Sequence, residues 1–252
     1  MANRVDLNAD MGEGFGRWSL GDDASLLDIV TSANIACGWH AGDANVMAET
    51  MRLAVRKGVG IGAHPGFGDL QGFGRRRLSL SEEELRNLVT YQLGAARAMA
   101  TAAGGRVRHL KLHGALANMA SEDEALAYAC YRAALRIQPD IVIMVLAGTA
   151  MERVVRDLDC AWVGEIFADR TYNDDATLVD RAEPGAVVHD APTAAERLVN
   201  MLSEEAIITR SGLRLPCRID TICLHGDTPG AVVMARRIKE RLTDAGIEVR
   251  QF

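Results

Sequence analysis

Short apolar runs alternate with longer amphipathic stretches from residue 5 to the end of the chain, and the change in period separates strands from helices. The runs at 5–8, 31–36, 59–63, 109–112, 141–146, 162–167 and 221–224 read as strands, with a weaker one at 186–189. A helix is predicted at 44–57, with Met47, Met51, Ala54 and Val55 on one face and Gly58 at its end. A longer one starts at Ser81, buries Leu85, Leu88, Val89, Gln92, Leu93, Ala96 and Met99, and stops at Gly104-Gly105. Shorter helices are expected at 22–29, 149–157 and 193–203. Ser81 with Glu84 forms a capping box, and Ser121 with Glu124 repeats the spacing, which predicts a helix from 121 to 137. Thr228 and Pro229 read as the cap and first residue of a last helix ending at Gly246, followed by a short tail at 247–252.

Nothing interrupts this alternation, so 1–252 is expected to be one domain. Strand–helix units in series call for a parallel sheet. An open doubly wound sheet would satisfy that. The polar residues that close at least five of the strands decide for an α/β fold of the closed TIM-like (β/α) barrel type, which gathers them into one mouth.

Composition narrows the function classes. The 252 residues are 48% hydrophobic and 25% charged, the mix of a soluble globular protein. A net charge of −6 and the absence of a long basic run argue against nucleic acid or an anionic membrane as partner. The strongest apolar run, 141–146, is too short to span a bilayer, and no signal peptide is read. Five cysteines without CxxC spacing point to reduced thiols and a cytoplasmic setting.

The chemistry lies at the strand ends. They are the stretches Asp6-Leu7-Asn8-Ala9-Asp10-Met11-Gly12-Glu13, Asn34-Ile35-Ala36-Cys37-Gly38-Trp39-His40-Ala41-Gly42-Asp43, Gly62-Ala63-His64-Pro65-Gly66, Lys111-Leu112-His113-Gly114-Ala115 and Leu224-His225-Gly226-Asp227. One such histidine is commonly a satisfied core residue. His40, His64, His113 and His225 at equivalent positions point to a shared pocket. Asp6, Asp10, Glu13, Asp43, Glu165 and Asp227 supply carboxylates, but no His-Glu-x-x-His spacing exists, so acid–base work and a divalent metal both stay open. Lys111 and His113 are two apart on a strand and share a face, as do Asp6 and Asn8. Lys111 is expected either to pair with Glu165 or Asp6 or to hold a substrate oxyanion. Arg75-Arg76-Arg77 is a solvated cluster or an anion site. No Walker motif, full dinucleotide fingerprint or Gly-x-Ser-x-Gly elbow is present.

These stretches, with Gly72-Phe73-Gly74-Arg75-Arg76, His113-Gly114-Ala115-Leu116 and Glu165-Ile166-Phe167-Ala168-Asp169-Arg170, resemble the LamB/YcsF family, the A subunits of prokaryotic 5-oxoprolinase. The match runs in order from Val5 to about Gly230. It departs from the usual pattern at Leu112, Ala117 and Gly66-Phe67-Gly68. The resemblance implies a seven-stranded barrel related to glycoside hydrolases and deacetylases. It implies ATP-dependent opening of the lactam 5-oxo-L-proline to L-glutamate together with partner subunits B and C, with ATP used through those partners. On this reading the catalytic group is Asp10, His40, Asp43, His64, Lys111 and His113. The substrate contacts are Asp6, Asn8, Glu13, Arg75, Arg76, Glu165, Asp169, Arg170, His225 and Asp227. His40 or His64 with Asp10 or Asp43 would activate water, Lys111 and His113 would hold the activated carbonyl, an arginine the substrate carboxylate, and Asp227 would orient His225. A homo-oligomer is compatible with this reading. The alternatives are a metal-dependent hydrolase or deacetylase of a carbohydrate or amide, and a non-catalytic binding subunit.

Overall fold

A computed structural model of the chain describes residues 4–224 and 230–252. Seven parallel strands close on themselves: β1 (Arg4–Met11), β2 (Ser32–Ala36), β3 (Gly60–His64), β4 (Val107–Lys111), β5 (Val142–Leu146), β6 (Trp162–Phe167) and a last strand, Thr221–Leu224. Two short strands, β7 (Ala206–Ile208) and β8 (Arg214–Pro216), form an antiparallel hairpin before the last barrel strand, which is therefore β9. Closure comes from β9, which pairs with β6 through Glu165↔Thr221 and with β1 through Asp6↔Thr221. The expected closed barrel is thus the observed one.

Helices cover the outside: α1 (Asp23–Leu26), α2 (Ala44–Lys57), α3 (Glu82–Ala102), α4 (Gly114–Glu122), α5 (Glu124–Ile137), α6 (Ala150–Asp157), α7 (Ala191–Glu204) and α8 (Ala231–Asp244). Helix α2 begins and ends where its sequence places it, because Asp43 accepts from the Asn45 and Val46 amides and Gly58 takes the left-handed turn at φ 69. The Ser81–Glu84 capping box forms in full.

Three expectations are corrected. Ser121 caps nothing: it lies inside α4, donating to the Asn118 carbonyl, and Asp123 caps α5 instead. The segment 186–189 makes no strand, only an isolated bridge between Arg170 and Val187. The short tail is partly a strand, since Glu248–Val249 adds β10 to the lower edge of β1. Phe252 then tucks its ring against His109, centroids 5.5 Å apart. The expected cap at Thr228 and Pro229 lies outside the described residues.

Candidate active site

Alternation along the barrel strands stacks an unusually polar interior. On β1, Asp6, Asn8 and Asp10 all point inward, one layer above another. In the lowest layer, Asp6 accepts from the hydroxyls of Thr31 at 2.6 Å and Ser32 at 2.8 Å, and also from that of Thr221. Burial pushes the Asp6 carboxyl up to about 6 against the opposing effect of those hydroxyls. In the middle layer, Asn34 donates to Asn8 Oδ1 at 2.7 Å and Asp10 Oδ1 at 2.9 Å, while its own Oδ1 accepts from His109 Nε2 at 2.8 Å. Burial first, and Lys111 second, hold His109 down near 3, so it is a neutral donor.

Above this layer sits Lys111. Its ammonium lies 2.9 Å from Asp10 Oδ1 and 2.9 Å from Glu165 Oε1, and donates to Cys223 Sγ at 3.0 Å. Burial alone would lower the lysine, but Asp10, Cys223 and Glu165 outweigh it, so the amine is firmly protonated. Glu165 moves upward too, because its own burial exceeds the pull of Lys111. The expected Lys111 ion pair therefore exists with Glu165, and its second partner is Asp10 rather than Asp6.

Three histidines crown the network. His64 Nδ1 donates to the Lys111 carbonyl at 2.8 Å, and His113 Nε2 donates to the Phe73 carbonyl at 2.8 Å. A carbonyl can only accept, so both tautomers are fixed. His64 Nε2 lies 3.4 Å from Asp10 Oδ2 and 3.0 Å from His113 Nδ1. His40 stacks flat on His113 with centroids 3.6 Å apart, and its Nε2 is 3.4 Å from Glu13 Oε1. All three rings are buried. Burial first, then the neighbouring histidines, lowers His40 well below its ordinary value and takes His113 down to about 3.

The segment 65–81 packs this cluster. Gln92 clamps it by accepting from the Gly66 amide at 3.0 Å and donating to the Gly66 carbonyl at 2.8 Å. Phe73 adopts φ 54, a conformation that costs a non-glycine residue energy, and thereby aims its carbonyl at His113. Gly74 follows at φ 62, where a Cβ would come within 2.7 Å of His40.

A cavity of about 430 Å³ opens over these groups. Asp10, Glu13, His64, Lys111, His113 and Glu165 line its base, and Arg75, Arg170 and Arg181 stand in its wall. The structure so brings together Asp10, Glu13, His40, His64, Lys111, His113, Glu165, Arg75 and Arg170. Others stand apart from the cavity. Asp43 caps α2 and accepts from the Gly16 amide at 2.7 Å. Asp69 is paired with Arg76, which points to solvent. Asp169 is buried outside the cavity, its carbonyl accepting from the Val188 amide at 2.8 Å. Asp6 and Asn8 lie beneath the floor, and His225 and Asp227 lie outside the described residues. Arg170 donates to the Val179 carbonyl at 2.5 Å, and burial lowers it to about 10. His109 and Cys223 are members of the network that the strand-end pattern did not single out, and Asn34, which opens one of those stretches, was not among the expected site residues. For His109 the signal was available, since it shares strand parity with Lys111.

Ligand atoms of Glu13, His40, His64 and His113 all lie within 4.8 Å of one another, so this buried group could hold a metal ion.

A closed parallel barrel whose C-terminal mouth gathers buried histidines, carboxylates and one lysine is the architecture of the (β/α)-barrel enzymes. The family model for the LamB/YcsF family matches residues 5–252, and the chain belongs to that family. It is 64% identical over 249 residues to the A subunit of 5-oxoprolinase from Ruegeria pomeroyi, covering 99% of this chain and 98% of that one. It is 50% identical over 249 residues to the Nitrobacter hamburgensis protein of the same name, covering 98% of each. Among solved structures it is similar to the lactam utilization protein of Thermus thermophilus, with 41% identity, TM-score 0.92, and 99% and 100% of the two chains covered. A family 4 carbohydrate esterase from Streptomyces lividans shares the fold alone, at 10% identity and TM-score 0.50, with 98% and 91% covered.

Proposed function

We propose that this chain is the ring-opening component of an ATP-dependent 5-oxoprolinase and acts with two partner subunits, B and C. The observation that carries the proposal is the mouth cavity, where a protonated lysine between two carboxylates faces a wall bearing several arginines. Such a cavity suits a small anionic amide. The relatives' name supplies the substrate, 5-oxo-L-proline. The chain has no Walker motif, so ATP enters through the partners, which would phosphorylate the amide oxygen and make the ring carbonyl carbon electrophilic.

The residues then divide the work. Arg75 or Arg170 holds the substrate carboxylate. The Lys111 ammonium faces the oxygen on the reacting carbon. The Asp10–His64 pair aims a water and takes its proton on Asp10. The water oxygen bonds to the carbon and the ring carbon–nitrogen bond breaks. The nitrogen receives the proton, leaving an acyl phosphate that a second water hydrolyses to glutamate and phosphate. Lactam, ATP and two waters thus balance to glutamate, ADP and phosphate.

Purified chain incubated with 5-oxoproline and ATP, with and without its partner subunits, tests this. Glutamate from the full set only is the expected result. No glutamate from any mixture of folded proteins overturns it.

A further inference from the structure

The two histidines at the head of the network face each other through ring nitrogens that carry no proton when the rings are neutral. His64 spends its one ring proton on the Lys111 carbonyl, and His113 spends its own on the Phe73 carbonyl. With both rings neutral, the remaining nitrogens, His64 Nε2 and His113 Nδ1, are both lone-pair bearers, and they stand 3.0 Å apart. Two lone pairs at that distance repel unless a cation lies between or beside them. His40, fully buried, makes no hydrogen bond from either ring nitrogen among the described residues. Glu13 Oε1 lies 3.4 Å from His40 Nε2 and 3.8 Å from His113 Nδ1.

We propose that the barrel mouth is a binding site for one divalent transition-metal ion of the zinc type, held by His64 Nε2, His113 Nδ1 and Glu13, with His40 beside them. Ligand atoms about 2.0–2.1 Å from a tetrahedral ion are about 3.3 Å apart; His113 Nδ1 stands 3.0 Å from His64 Nε2 and 3.8 Å from Glu13 Oε1, and the whole ligand set lies within 4.8 Å. The fixed tautomers present the correct nitrogens, and the two backbone carbonyls act as the outer partners that orient ligating imidazoles. Imidazole nitrogen with carboxylate oxygen selects zinc, cobalt, nickel or iron over calcium or magnesium. The cysteine nearest the floor is not in the set, because Cys223 Sγ accepts from Lys111. An ion here would add Lewis acidity to the ring-opening site proposed above and leave Asp10 to accept the proton; its binding does not depend on that reading.

The test is made on the full chain, purified without metal-affinity steps. Elemental analysis should find a divalent transition metal at close to one ion per chain, removable by a chelator. Cobalt(II) added to the stripped protein should give visible absorption bands typical of nitrogen and oxygen ligands. His64→Gln and His113→Gln should abolish the bands with the fold intact by circular dichroism. Glu13→Gln, a gentler change, should weaken cobalt binding about tenfold or more. No metal and no bands in the wild-type protein would mean that the two nitrogens merely share a proton, and the proposal fails. Bands that persist in folded variants would place the ion elsewhere, and the proposal fails as well. Neither readout uses turnover, so a failure to form glutamate is a separate outcome.

Discussion

Gly62 sits directly against the ring of His109: a Cβ at position 62 would stand 2.0 Å from His109 Nε2. The ring belongs to the buried layer that holds Asn34, and through Asn34 it holds Asp10. Strand β3 therefore needs glycine there because a neighbouring side chain occupies the space. Gly62→Ala should cost about 3 kcal/mol in denaturant unfolding, at the upper end for overpacking. The same change made in a His109→Ala background should cost much less, because the ring it strikes is gone. Equal costs in both backgrounds would show that the clash is relieved some other way.

His109 also sets an acid limit. Its folded value lies near 3 against 6.5 in the unfolded chain, so below pH 6.5 the unfolded state takes up a proton that the folded state refuses. Its contribution is thus lost as pH falls from 6.5 towards 3. Asp6 acts in the opposite sense, because its value rises from 3.8 to about 6: the folded state keeps a proton the unfolded state releases, so its contribution declines as pH rises through that window. His109→Gln keeps a donor for Asn34 and removes the histidine titration. Relative to wild type, the slope of unfolding free energy against pH, measured between pH 4 and 6, should then shift towards decline with rising pH. An unchanged slope would mean that His109 is not the titrating group.

The cavity arginines separate by their partners. Arg75 lines the mouth and lies over the Phe73 ring at 4.9 Å, whereas Arg76 pairs with Asp69 outside the cavity. In an assay supplied with the partner subunits, Arg75→Met should raise KM for 5-oxoproline about tenfold with little change in kcat, the pattern of lost ground-state binding. Arg76→Met should leave KM alone. The opposite order would move the carboxylate site to the outer loop.

The barrel was legible because each strand is a compact apolar run closed by a polar cluster, and β6 and β9 start and stop where that pattern says. Helix α4 was not, because it begins at Gly114 immediately after His113, with no side-chain cap to announce it. One residue, Asp123, separates it from α5, so the two helices blend into a single amphipathic stretch with a misleading Ser121. The β7–β8 hairpin was missed because its strands are three residues each, too short for alternation to register. At the site, strand parity was enough to align Asp6 with Asn8 and Lys111 with His113; Asp10 joins them because β1 runs on to Met11, beyond the expected 5–8. Asp43 followed a strand end like the others yet serves the helix, since a carboxylate before a helix start can play either part. The Phe73 carbonyl that fixes His113 has no side-chain signature at all, because it is backbone turned by a local left-handed conformation.

Lys111 joins stability to chemistry, and its replacement should expose both. The ammonium is buried between Asp10 and Glu165 at 2.9 Å from each, so removing it leaves two carboxylates without their shared counter-charge. Lys111→Met should therefore destabilise the fold by about 3–5 kcal/mol, the range for breaking a buried pair by deleting one partner. A lysine present only to receive substrate would instead leave stability unchanged. Adding Glu165→Gln to Lys111→Met removes one of the stranded charges and should recover part of the loss. Recovered stability should bring no recovery of glutamate formation, because the positive charge facing the reacting oxygen is still missing. If the double variant regains activity along with stability, Lys111 is a structural counter-ion and the oxyanion contact must come from the cavity arginines.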